Sequence, residues 1–162
     1  DWTSTWPGIA DPKRYASALL ANLGATFVPP PPGTREEVIP LSAFVLMGPS
    51  PYFARSNERI APNSDCVLEA DVECQTPGTY VMTLRGSGTP AGGEYPRVTL
   101  FLGDKRLGRV ELKSRSRAEY TTEPFALPAG KLKLRLVYDN DALINGEDRN
   151  LVINQVSLHP AP

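Results

Sequence analysis

Apolar side chains fall at every second position in the segment Cys66–Cys74, where Cys66, Leu68, Ala70, Val72 and Cys74 alternate with mostly polar neighbours. A period of two places one set of side chains on one face of a strand, the pattern of a half-buried sheet. Comparable short runs recur near Ala43–Met47, Thr79–Arg85, Arg97–Leu102, Arg109–Leu112, Glu119–Ala126, Lys131–Tyr138 and Leu151–Leu158. Thr76-Pro77-Gly78, Gly103-Asp104 and Pro128-Ala129-Gly130 punctuate them with turn chemistry. About eight or nine short strands at this spacing predict an all-β fold, a β-sandwich of the jelly-roll kind.

The pattern changes ahead of that block. Residues 1–35 read as an N-terminal arm, and residues 36–162 as the sandwich. Trp2 and Trp6 open the arm, and a short helix is expected over Pro12–Leu23, started by Asp11-Pro12 and stopped at Asn22-Leu23-Gly24. Tyr15, Leu19 and Leu23 share one face of that helix, a stripe that needs a partner surface. Pro29-Pro30-Pro31-Pro32-Gly33 then reads as an extended polyproline spacer.

Composition narrows the classes of function. A chain of 162 residues supports one domain with a real core plus an appended arm. Net charge is −1, and Lys105, Arg106, Arg109, Lys113, Arg115 and Arg117 are scattered, so the clustered positive surplus of a nucleic-acid footprint is missing. No apolar run is long enough to span a bilayer. The sequence starts at Asp1 with neither a Met nor a signal peptide, as expected of a processed chain or an excised piece of a longer one. On an unbroken strand Cys66 and Cys74 lie about 26 Å apart at roughly 3.3 Å per residue, far beyond disulfide reach. Two buried free thiols are therefore expected, and they prove no oxidising compartment.

Catalytic constellations fail by inventory. His159 is the only histidine and stands beside the terminal Pro160-Ala161-Pro162, which leaves Ser-His-Asp and Cys-His arrangements without a base. The same count excludes a multi-histidine zinc site. Gly86-Ser87-Gly88 lacks the helix and lysine of a phosphate loop. Acid pairs such as Glu36-Glu37 and Glu147-Asp148 have no spacing that points to glycosidase work. No enzyme is expected.

The most informative segment is Tyr138–Asn154, which packs Asp139, Asp141, Glu147 and Asp148 into one loop between two alternating apolar runs. Calcium takes six to eight hard oxygens from carboxylates, carbonyls, amides and water, and a glycine lets the chain curl round the ion. The spacing is not that of an EF-hand, which needs glycine at the sixth position and a bidentate Glu at the twelfth. A polar hairpin of Asx-turns facing water accounts for the same residues.

The order of an aromatic, Asn140-Asp141, a short loop, Gly146, and Asp148-Arg149-Asn150-Leu151 resembles the C-terminal signature of the calcium-dependent xylan-binding carbohydrate-binding modules, families 36 and 60. The resemblance extends over about Val38 to Pro160, through Pro77-Gly78-Thr79-Tyr80, Gly86–Pro90, Tyr95-Pro96 and Gly103-Asp104-Lys105, with Asp-Arg-Asn-Leu its one specific motif. It implies a calcium ion held at the tip of a β-sandwich by Asp141 and Asp148, with the backbone carbonyl of Glu147, while Arg149 and Asn150 are structural. It implies as well that the ion takes sugar hydroxyls as ligands. Relatives open with a strand carrying two glutamates and close with a Val-Asp pair, holding a second, structural calcium; here the opening reads Val38–Val45 and the closing position is Asn154, so that second site is absent. The 141–148 loop is longer than in some relatives.

The expected function is non-catalytic, calcium-dependent binding of a xylan-like polysaccharide, outside the cytoplasm: extracellular, at the cell surface, or periplasmic. Tyr95, Tyr52, Phe53 and Tyr138 are the candidates for an aromatic face against the sugar, and Tyr95, between Gly92-Gly93-Glu94 and Pro96, is the strongest of them. A second reading starts from the arm, which would dock the sandwich to a parent enzyme or a larger assembly as a structural or accessory subunit.

Overall fold

Strand β5 (Cys66–Cys74) buries Cys66, Leu68, Ala70, Val72 and Cys74 and turns the intervening residues outward, as its alternation dictates. A computed structural model describes Val28 and residues 37–47 and 53–162. The helix expected over Pro12–Leu23, the proline spacer, Tyr52 and the side chain of Phe53 lie outside the described residues.

Two antiparallel sheets face each other. With strands numbered in chain order, one sheet runs β2 (Val45–Met47), β5, β11 (Gly130–Tyr138), β7 (Arg97–Leu102) and β8 (Lys105–Glu111). The other runs β10 (Phe125–Leu127), β6 (Gly78–Gly88), β14 (Leu151–Pro160), β4 (Ile60–Pro62) and β3 (Phe53–Arg55). In that sheet β1 (Glu37–Ile39) also pairs with β14, and β9 (Ala118–Thr121) with β6. Leu68, Leu134, Leu136, Val98 and Leu100 from the first sheet pack on Tyr80, Met82, Leu84, Val156 and Leu158 from the second in one core. This is the sandwich that the alternation predicts.

Three local departures have physical causes. The opening run Val38–Val45 is not one strand: Pro40 breaks the ladder, a 3-10 turn forms over Leu41–Ala43, and the chain crosses from β1 in one sheet to β2 in the other. The expected strand Glu119–Ala126 splits into β9 and β10. The Thr122 hydroxyl takes the place of a ladder carbonyl by accepting from the Met82 N–H at 3.0 Å, and Pro124 has no N–H to give. At Asn154 β14 carries a bulge between Ile153 and Gln155, and the Asn154 amide donates to the Glu58 carbonyl at 3.2 Å. A donor therefore stands at this position, where a carboxylate would accept.

Cys66 and Cys74 stand at opposite ends of β5, buried and unbridged. Burial, followed by the charges of Asp65 and Asp141, pushes the Cys66 thiol up to about 12, and burial raises Cys74 as well. At pH 8 the native chain should therefore resist a thiol reagent such as dithionitrobenzoate and titrate both cysteines only on unfolding. Rapid reaction of either thiol in the folded protein contradicts this.

Candidate functional site

Two crossings between the sheets run side by side at one end of the sandwich. Residues 89–96 lead from β6 to β7, and residues 139–150 lead from β11 to β14. Their flanking strands are partners in both sheets: Tyr138 lies opposite Val98 in one, and Leu151 opposite Gly88 in the other. Cys66 pairs with Tyr138 on the other side of β11, so Asp65 enters at the same end. Gly88 permits the close approach there, because a Cβ on it would stand 2.4 Å from Pro96 Cγ and 2.6 Å from the Leu112 carbonyl oxygen.

Backbone and side chains lock the two loops together. The Thr89 N–H donates to the Asn150 carbonyl and the Asn150 N–H to the Thr89 hydroxyl oxygen, each at 3.0 Å, while the Thr89 hydroxyl donates to the Asp148 carbonyl at 2.7 Å. Arg149, 3% exposed, lies at the centre. Its Nε donates to the Glu94 carbonyl at 2.8 Å, and its terminal nitrogens donate to the carbonyls of Asn140 and Ala91. The Glu94 carboxylate sits 3.4 Å away. Asn140, also buried, accepts from the Arg97 N–H and donates to the Tyr95 carbonyl, each at 2.9 Å. Every one of these groups is polar and partnered, as buried polar groups require.

The 141–148 segment folds into a hairpin of β12 (Leu143–Ile144) and β13 (Glu147–Asp148). Asn145 at φ 51° and Gly146 at φ 82° make its two-residue turn, the left-handed pair that Asn-Gly favours. Gly92 and Gly93, at φ 59° and 80°, make a second such turn beneath a bridge between Ala91 and Glu94. The two turns touch. The Gly92 N–H donates to the Glu147 carboxylate at 2.9 Å, and a Cβ on Gly92 would come within 2.9 Å of Ile144 Cδ1.

Asp141, Asp148 and Asp65 gather beside this hairpin. The Asp141 N–H donates to Asp65 Oδ1 at 2.8 Å. The Tyr138 hydroxyl lies 3.1 Å from Asp141 Oδ1 and 2.9 Å from the Arg149 carbonyl. Burial raises the pKa of Asp141, the hydrogen bond from Tyr138 opposes the rise, and the charges of Asp148 and Asp65 add to it. Among the described residues neither Asp141 nor Asp148 has an ion-pair partner.

The expected site residues thus fall as follows. Asp141 and Asp148 approach closely enough for their charges to interact. The Glu147 carboxylate braces Gly92 through Oε2. Tyr95 is half-buried in the adjoining loop, its carbonyl held by Asn140. Tyr138 is no sugar platform: it is 2% exposed at the inward-facing end of β11. Asp65 escapes the sequence reading, and Thr89 and Asn140 figure there only within the segments that carry the resemblance, since only the strand pairing brings Asp65 and Thr89 to this loop. Among the described residues no three His, Cys, Asp or Glu side chains are arranged to hold one metal ion. The donor set is nonetheless all hard oxygen, with two carboxylates unpaired, and suits a calcium site that keeps coordination positions free for other oxygens.

The two-sheet sandwich recurs among solved structures. Three solved structures similar to this chain show that fold. One is the family-36 module of a multidomain xylanase from the hindgut metagenome of Trinervitermes trinervoides, 22% identical over 79% of this chain and 99% of that one, with a TM-score of 0.63. Another is a family-36 module in complex with calcium and xylotriose, 12% identical over 77% of this chain and 99% of that one, TM-score 0.58. The third is the family-26 glycoside hydrolase β-(1,4)-mannanase of Podospora anserina with its family-35 module, 14% identical over 78% of this chain and 28% of that one, TM-score 0.55. The family of calcium-dependent, xylan-binding carbohydrate-binding modules numbered 60 matches residues 81–161, half of the chain, and the chain belongs to it. No curated protein matches.

Replacing Arg149 with Met leaves the Asn140 carbonyl without its donor and takes the charged donor from the carbonyls of Ala91 and Glu94, which keep only each other's N–H. With one buried carbonyl left unpaired and two bonds from a charged donor lost, a drop of about 2 kcal/mol is expected in urea denaturation. A variant with the parent's midpoint contradicts the clamp.

Proposed function

We propose that the chain is a non-catalytic module that binds a xylan-like polysaccharide only in the presence of calcium, with the ion held by Asp141, Asp148 and the Glu147 carbonyl. One observation carries the reading: two carboxylates without ion-pair partners lie within charge range on a loop whose backbone the buried Arg149 holds in place. When bound, the ion would supply a Lewis-acidic centre that accepts vicinal sugar hydroxyls. The protein's part is to hold the two carboxylates fixed, to brace the hairpin through Glu147, and to offer Tyr95 in the next loop as a face for the sugar ring. Membership of family 60 supports calcium dependence and xylan as the ligand.

The remaining assignments follow from that family and from the side chains present. The single histidine, His159, lies on β14 with its ring 3.3 Å from the Thr83 hydroxyl, and supplies no catalytic base. A module of this kind works beside a parent enzyme, so an extracellular or cell-surface location is proposed, with residues 1–35 as the connection to the rest of that protein. No helix among the described residues is long and apolar enough to cross a membrane.

Calorimetric titration tests the core of the proposal. Xylo-oligosaccharides should give binding heat with calcium present and none after chelation, and Asp148→Ala should weaken that binding about tenfold or more. Sugar binding that survives chelation, or that Asp148→Ala leaves intact, defeats the reading.

A further inference from the structure

The register of the β12–β13 hairpin sorts its side chains onto two faces. Ile144 is opposite Glu147, and Leu143 is opposite Asp148. Residues directly opposite in an antiparallel pair project to the same side, and successive residues project to opposite sides. The Ile144–Glu147 face is docked on the glycine turn, through the Glu147 carboxylate on the Gly92 N–H and Ile144 against Gly92. The hairpin is therefore prevented from turning over, and its other face, Leu143 with Asp148, is presented outward.

Leu143 is 74% exposed, the most exposed of the large hydrophobic side chains among the described residues. Single exposed apolar residues are common on protein surfaces and by themselves mean little. This one is set apart by sharing a clamped two-residue face with a carboxylate that has no ion-pair partner.

We propose that Leu143 is a specificity-determining contact of the glycan site, laying its isobutyl group against the C–H face of the sugar ring whose hydroxyls meet the ion at Asp148. This role rests on the function proposed above and adds to it. In a pyranose with equatorial hydroxyls, such as xylose, axial C–H bonds make the ring faces apolar and the hydroxyls form the rim, so a site with an oxygen-seeking ion and an adjacent aliphatic side chain reads both. Rings that cannot present hydroxyls and a C–H face together are discriminated against. Leu143 does this without carrying charge to the ion, so its contribution separates from metal affinity.

The test is calorimetry on the full chain with calcium and then xylotriose, for Leu143→Ala, Leu143→Met and Val45→Ala, the last replacing another exposed apolar residue on β2. Leu143→Ala should keep calcium affinity and lose about fivefold in xylotriose affinity through lost apolar contact, with Leu143→Met retaining most of it and Val45→Ala unchanged. Xylotriose affinity unchanged in Leu143→Ala overturns the role of Leu143 while leaving the proposed function standing. A fall in calcium affinity of the same size overturns it too, because Leu143 would then shape the loop rather than touch sugar. Absence of calcium-dependent xylotriose binding in the unaltered chain defeats the proposed function, and this role with it.

Discussion

The end of the sandwich that carries the site depends on the burial of one guanidinium. Taking a charged group out of water costs several kcal/mol unless its N–H groups find acceptors. Arg149 meets that demand with carbonyls from two separate loops, Asn140 from its own and Ala91 and Glu94 from the other. Lysine has three donors on a single nitrogen and cannot span such a set, whereas the planar fork of arginine can. The consequence reaches the neighbours in sequence. With Arg149 turned inward, Asp148 and Asn150 on either side are turned out, so the inward charge decides which way the outward carboxylate points. Asn140 repeats the device on a smaller scale by holding Tyr95 and Arg97 through its amide.

Such a frame suits an ion site because it removes freedom before any ion arrives. Asp141 and Asp148 repel each other, and Asp65 adds to the repulsion while fixing the Asp141 backbone through its N–H. In a loose loop like charges would move apart. Here the Thr89–Asn150 exchange, the Arg149 fork and the Glu147 brace resist that movement, so the repulsion stays in the loop as a demand for positive charge. A divalent cation answers it better than a lysine would. It brings two charges and can take further oxygens from outside the protein, which would complete the shell of the proposed ligands Asp141, Asp148 and the Glu147 carbonyl.

Much of this was legible in the sequence, and what was hidden has a common cause. Local period-two alternation gave β5, β7, β11 and β14 nearly to the residue, because a strand between a packed core and solvent must alternate. The Asp148-Arg149-Asn150-Leu151 motif gave the loop. Hidden were the features set by partners distant in sequence. Asp65 reaches Asp141 only because Cys66 pairs with Tyr138. The break at Thr122 exists because its hydroxyl replaces a carbonyl opposite Met82. The Asn145-Gly146 hairpin is a different case. The dipeptide is a strong turn signal in its own right, and a polar hairpin stood open beside the metal loop; its register and its docking on Gly92 were what the sequence hid.

That hairpin also accounts for the length of the loop between Asp141 and Asp148. Extra residues in a metal loop would ordinarily loosen it, since each added residue brings conformational freedom that binding must remove. Here the segment between the two acids is folded back on itself through a turn whose backbone Asn-Gly adopts at little cost, and one face is fastened to a second turn built from Gly92 and Gly93. Glycine is favoured at position 92, because the φ of 59° is one that side chains rarely adopt. The hairpin therefore leaves the spacing of the acids to the Arg149 frame and gives the loop an outward face of its own, on which an aliphatic side chain stands beside a carboxylate. Length that would otherwise cost order is converted into surface that a ligand can meet.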